Sequence, residues 1–97
     1  EISDLNNLYL KENKLNVEIL KRGISWFDTG NFDSMLNSSM FVNAVEKRQG
    51  FKIAIPDEVA WRNGWINDQD LEQLAYSNKN EQIKLYLLDL LKEKNYE

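Results

Sequence analysis

The 97-residue chain carries twelve Lys and Arg against sixteen Asp and Glu, a formal charge of −4, with 42% hydrophobic residues and neither His nor Cys. That size fits one small globular unit at most, and the acidic balance argues against a nucleic-acid partner, which calls for a basic face. The missing residue types exclude His-based triads, imidazole or thiolate metal sites, thiol nucleophiles and disulfides, and no apolar run approaches the roughly 20 residues of a membrane span.

In chain order, Ile2, Leu5, Leu8 and Tyr9 recur at helical spacing and predict a helix over 2–10, with Ser3 or Asp4 as its cap and Glu12, Asn13 and Lys14 as a polar turn after it. From Asn16 to Phe27 the period changes. Val17 and Ile19 alternate with Glu18 and Leu20 as in a strand, Gly23 marks a bulge or bend, and Ile24, Trp26 and Phe27 resume the apolar run. Asp28, Thr29 and Gly30 stop it. A helix over 31–49 follows, with Phe32, Met35, Leu36, Val42 and Val45 as its stripe, Lys47 and Arg48 in its last turn and Gly50 just beyond.

Residues 51–55 alternate well enough for a short strand. Pro56 suits the first turn of the next helix, where Asp57 and Glu58 complement the dipole, and Gly64 ends it. Asn67 caps a helix carrying Leu71, Leu74 and Ala75, and Asn78 with Glu81 has the spacing of a capping box for the last helix. In that last helix Ile83, Leu85, Tyr86, Leu87, Leu88, Leu90 and Leu91 occupy nearly every direction, so it is either the centre of a small bundle or a contact with another domain or subunit. The fold class expected is α+β, mostly helical, with one or two strands. A lone strand cannot satisfy its own ladder, so these strands are expected to join a sheet formed elsewhere. Together with a first residue that is not Met and a small core without staples, this suggests a fragment.

The chemistry centres on Arg22-Gly23-Ile24-Ser25-Trp26-Phe27-Asp28-Thr29-Gly30. An acid at the end of a strand, before a turn into a helix, stands where open α/β sheets place ligand groups. Such a carboxylate suits Mg²⁺, which takes one or two protein carboxylates with phosphate oxygens and waters. A helix-capping Asp or Thr is the plainer reading of the tripeptide alone. Asp-Thr-Gly also marks aspartic proteases, but those need β-rich chains, and the flanking segments here are helical in pattern.

The wider run from Leu15 to Ile66 closely resembles the C-terminal part of bacterial glucose-1-phosphate thymidylyltransferases, members of the sugar nucleotidyltransferase superfamily. The matching pieces are the segment 22–30, then Val45-Glu46-Lys47-Arg48-Gln49-Gly50, Lys52-Ile53, Pro56-Asp57-Glu58-Val59-Ala60-Trp61-Arg62 and Gly64-Trp65-Ile66. Ser25, Phe27 and Asn31 depart from the family's commoner Ala, aliphatic and Thr residues without altering the chemistry of Asp28.

The resemblance implies a parent enzyme that makes dTDP-glucose and pyrophosphate from dTTP and glucose 1-phosphate, for dTDP-rhamnose and cell-surface polysaccharide biosynthesis. In it Asp28 shares a Mg²⁺ with a second Asp from an earlier part of the sequence. The resemblance further implies that 1–30 completes the catalytic sheet of a mixed α/β nucleotidyltransferase fold, while 31–97 forms a helical cap and oligomerisation part. Glu58, Val59 and Arg62 would belong to a secondary, allosteric nucleotide site used in feedback, and the enzyme would be a cytoplasmic homotetramer with no nucleic-acid or membrane partner. The family's Gly-rich phosphate loop has no counterpart in these 97 residues, so the isolated chain is expected to be inactive. Two other readings stand beside it: an independent, non-catalytic helical interaction module, and a sugar nucleotidyltransferase using another nucleotide.

Overall fold

A computed structural model of the chain describes residues 1–94. It contains α1 (Ile2–Lys11), α2 (Phe32–Gln49), α3 (Pro56–Arg62), α4 (Asp68–Ser77) and α5 (Glu81–Glu93). The chain divides into two compact units, Glu1–Ser38 and the part from Ser39 onward, with the division falling inside α2.

In the first unit, α1 starts at Glu1, whose amino group donates to the Asp4 carboxylate at 3.0 Å; Glu1, and not Ser3 or Asp4, occupies the N-cap position. The predicted polar turn closes the helix. Asn13 adopts the left-handed conformation (φ 55°), and Asn13 N and Lys14 N donate to the carbonyls of Leu10 and Tyr9 at 3.1 and 2.9 Å. This bonding satisfies carbonyls that α1 would otherwise leave unpaired, and Asn tolerates that backbone better than a branched residue. No residue of α1 is buried, and Leu5, Leu8 and Tyr9 line a shallow open cleft.

Residues 14–21 and 24–29 are neither helical nor paired in a ladder, and no strand occurs among the described residues. A strand is defined by its neighbour, and none of the described residues supplies one. Val17 and Ile19 are 78% and 88% exposed. The two runs are joined at a turn in which Ile24 N donates to Lys21 O at 3.3 Å, with Gly23 at φ 93°. Gly23 is therefore a bend and not a bulge, and only glycine reaches that φ without strain.

The second unit is built on α3, α4 and α5, with α4 packing against both of the others. Its core is the cluster Leu71, Ala75, Leu87 and Leu90, with Ile55, Trp61, Ile66, Ile83 and Tyr86 packed partly buried against it. Leu71 and Ala75 are four residues apart on α4, and Leu87 and Leu90 three apart on α5, so each helix contributes one face. Leu85 stays 52% exposed on α5, which gives that helix a buried face and an open one.

Pro56 lies in the first turn of α3, as expected. The left-handed Gly64 ends that helix, with Gly64 N and Trp65 N donating to Trp61 O and Ala60 O. Asn67 caps α4 through a reciprocal box: its Oδ1 accepts from Asp70 N at 2.8 Å, and Asp70 Oδ2 accepts from Asn67 N at 3.0 Å.

The cap of the last helix also differs from the one expected. The cap of α5 is Asn80, whose Oδ1 accepts from Gln82 N and Ile83 N at 3.0 and 3.2 Å, while Asn78 accepts from Asn80 N and so shapes the approach to the helix. Over 51–55, where a short strand is expected, no ladder occurs among the described residues. Ala54 sits at φ 59°, which reverses the extended path, and Glu46 ties the segment to the end of α2 by accepting from Ile53 N at 3.1 Å and pairing with Lys52 at 3.5 Å.

Candidate functional site

Asp28 lies in the first unit, on the irregular run that leads into α2. Its Oδ1 accepts from Gly30 N at 2.8 Å. This is an Asx-turn, in which a carboxylate takes the place of a backbone carbonyl. It fixes the side chain and explains Gly30 sterically, because a Cβ at that position would stand 3.0 Å from Oδ1. The helix cap is a different residue: Asn31 Oδ1 accepts from Ser34 N at 2.8 Å. Asp28 is thus not needed to start α2, and the plainer reading of the tripeptide has its capping role filled three residues later.

No three acidic side chains converge as a metal cluster among the described residues. The donor set available at Asp28 is a single exposed carboxylate with Oδ1 engaged in the turn. That fits a one-carboxylate share in a Mg²⁺ site, since this hard cation keeps several waters and takes few protein oxygens.

The second group of candidates lies on α3 in the other unit. Glu58 and Arg62 are one turn apart, and Arg62 Nε donates to Glu58 Oε1 at 2.7 Å. The Arg62 guanidinium also lies 5.6 Å from the centre of the Trp61 ring. Val59 is half exposed on the same helix. Arg62 thus has Glu58 and the Trp61 ring as neighbours while staying 56% exposed, and Trp61 packs against the core.

The sequence gives no sign of the residue that completes this group. Tyr86, on α5 and 28 positions away, donates its phenol hydrogen to Glu58 Oε2 at 2.5 Å. Both Glu58 oxygens thus have partners within the protein, and the Glu58 side chain is only 13% exposed. A second cluster lies at the other edge of Trp61, whose indole N–H donates to Asp68 Oδ1 at 2.8 Å. Lys94 reaches both oxygens of Asp68 at 3.0 and 2.9 Å. Lys94, and after it the indole N–H, hold the Asp68 carboxyl below its ordinary range. Trp61, Arg62, Asp68 and Lys94 line an open cleft of about 760 Å³.

Burial, and next the bond to Glu58, push the Tyr86 phenol above its ordinary value of 10.0. The fold therefore favours the protonated phenol. Its contribution to stability is complete below the unfolded value and is lost as pH rises through the higher folded one. Urea unfolding of the chain between neutral pH and strong alkali should show the wild type losing stability more steeply than Tyr86→Phe. Parallel curves for the two proteins would remove the phenol from the account.

A family profile described as Nucleotidyl transferase matches residues 1–45. A glucose-1-phosphate thymidylyltransferase of Mycobacterium tuberculosis is 50% identical over 91 residues, covering 94% of this chain and 32% of that protein. Proteins of the same name from Neisseria meningitidis and Xanthomonas campestris are 48% and 38% identical over 92 residues, 95% of this chain and 32% and 31% of their own lengths. The chain spans about a third of the length of the curated relatives it matches. The relatives match nearly the whole chain, while the family profile matches its first 45 residues.

Proposed function

We propose that this chain supplies about a third of an enzyme that makes dTDP-glucose and pyrophosphate from dTTP and glucose 1-phosphate. The observation that carries the reading is the match at 36–50% identity, over 93–95% of the chain, to proteins that share one activity in their names. A free-standing helical module would not be expected to keep such identity over nearly its whole length.

In this reading the runs 14–21 and 24–29 are strands of a mixed α/β sheet, and their neighbours lie in the other two thirds of the protein. That accounts for the exposed Val17, Ile19 and Trp26, which a sheet and its covering helices would bury. The fold of the whole is then α+β.

In the reaction an oxygen of the sugar phosphate attacks the α-phosphorus of the nucleoside triphosphate, and pyrophosphate leaves. Asp28 would hold Mg²⁺ together with a second carboxylate from elsewhere in the protein. Bound there, the cation supplies charge neutralisation at the phosphate oxygens. The chain's own part is positioning: Gly30 N fixes one carboxylate oxygen, and Asn31 starts α2 so that the turn is anchored at its far end. Glu58, Val59 and Arg62 form part of a second, regulatory nucleotide site, in which the guanidinium meets a phosphate and Val59 packs on a base or sugar. The fixed orientation of Arg62 and the exposed apolar surface beside it support that assignment. Assembly as a cytoplasmic homotetramer through the helical part completes the reading.

The test is turnover by the full-length protein that contains this chain, supplied with glucose 1-phosphate, Mg²⁺ and either dTTP or UTP. Formation of dTDP-glucose is the expected result, with dTTP preferred. Preference for UTP would move the protein to a sister nucleotide specificity, and no product with either would overturn the reading. The isolated 97-residue chain should give none.

A further inference from the structure

We propose that Tyr86 is a positioning residue for the regulatory nucleotide site: it binds Glu58 so that Glu58 can hold the Arg62 guanidinium toward a phosphate group. The inference rests on the proposed role of Arg62 and extends it to a residue on another helix.

The geometry is a chain of two hydrogen bonds. Tyr86 Oη donates to Glu58 Oε2 at 2.5 Å, and Glu58 Oε1 accepts from Arg62 Nε at 2.7 Å. Glu58 is a poor direct contact for a nucleotide, because a carboxylate repels a diphosphate and both of its oxygens are already occupied within the protein. What it does well is orient. An Arg side chain on its own samples many rotamers, and each one fixed beforehand is entropy that binding need not remove. Here Nε is held by Glu58 and the guanidinium carbon lies 5.6 Å from the Trp61 ring centre, two contacts that restrict the rotamers of the group.

Glu58 can hold that direction only if it is itself fixed. Its side chain is mostly buried, and such a carboxylate with one oxygen unsatisfied would swing to find water. The Tyr86 phenol meets that need from α5. It also draws charge away from the carboxylate, which lessens the repulsion an incoming phosphate would meet. The burial that keeps the phenol protonated supports the same role. Because Tyr86 sits one residue before the buried Leu87, its position is set by the core and not by a mobile loop.

The experiment uses the full-length protein, with added dTDP-rhamnose as the inhibitory probe, and compares wild type with Arg62→Ala, Tyr86→Phe and Leu88→Ala. Leu88 packs against the core on the same helix and serves as a control for packing. Arg62→Ala should abolish inhibition by the probe. Tyr86→Phe, which keeps the ring and removes only the hydroxyl, should raise the half-inhibiting concentration about tenfold, the order expected for losing a hydrogen bond to a charged group. Leu88→Ala should lower the urea midpoint and leave the half-inhibiting concentration where it was. If Arg62→Ala leaves inhibition intact, the regulatory site itself is wrong and this inference falls with it. If Arg62→Ala removes inhibition but Tyr86→Phe does not weaken it, the site stands and the role of Tyr86 falls. Equal weakening by Leu88→Ala would reduce Tyr86 to packing.

Discussion

Asp28→Asn in the full-length protein should lower Mg²⁺-dependent turnover about a thousandfold while leaving the fold in place. In the role proposed for Asp28, the substitution removes a charge that holds a cation worth several kcal/mol to the reacting phosphate, at about 1.4 kcal/mol for each tenfold in rate. The fold should survive because an amide oxygen can accept from Gly30 N in the same turn, where the carboxylate now accepts at 2.8 Å. The helix start is insulated as well, since Asn31 caps α2. Far-UV circular dichroism and urea midpoints should therefore match those of wild type while the rate collapses. A near-normal rate would leave Asp28 as a turn-forming residue and nothing more. The substitution Gly30→Ala makes a useful companion, because its Cβ would press on Oδ1 at 3.0 Å and must displace the carboxylate without removing its charge.

Leu87→Ala should strongly destabilise the second unit, as should truncation of the equally buried Leu71. Leu87 is fully buried, and among the described residues it shares the core cluster with three other buried ones. Truncating a buried Leu costs about 2–5 kcal/mol, through lost transfer energy and the cavity left behind. Whole domains are stable by only about 5–15 kcal/mol, so a unit with so small a core stands to lose a large part of its stability. Leu85→Ala provides the contrast: that side chain is 52% exposed, and its loss should stay within about 0.5 kcal/mol. Urea unfolding of the chain and its two variants reads the difference directly. Equal effects at 85 and 87 would mean that the buried face of α5 has been misassigned.

How legible these features are in the sequence depends on how local their causes are. Pro56 at the start of α3, Gly64 at its end and Asn67 capping α4 are all readable, because each is decided within four or five residues. Asn80 displaces Asn78 as the cap of α5 because two Asn residues compete within one short loop, and only the path of the chain decides between them. The alternation over 51–55 reads as a strand, but Ala54 takes a left-handed conformation that no propensity for alanine foretells. The run around Asp28 is visible as a motif, whereas its Asx-turn with Gly30 is visible only once the backbone is traced. Least legible is Tyr86. Nothing in its neighbourhood of leucines distinguishes it from a core residue, and its partner Glu58 is 28 positions away.

The bare stretch between α1 and α2 also bears on handling the protein. Val17 and Ile19 project almost wholly into water on a segment that no ladder protects. Such a segment is a sticky template for an identical copy, the situation natural sheets avoid by shielding their borders. Produced by itself in a bacterial host, the 97-residue polypeptide would tend to collect in inclusion bodies. Charged replacements at these two positions would improve its yield in isolation.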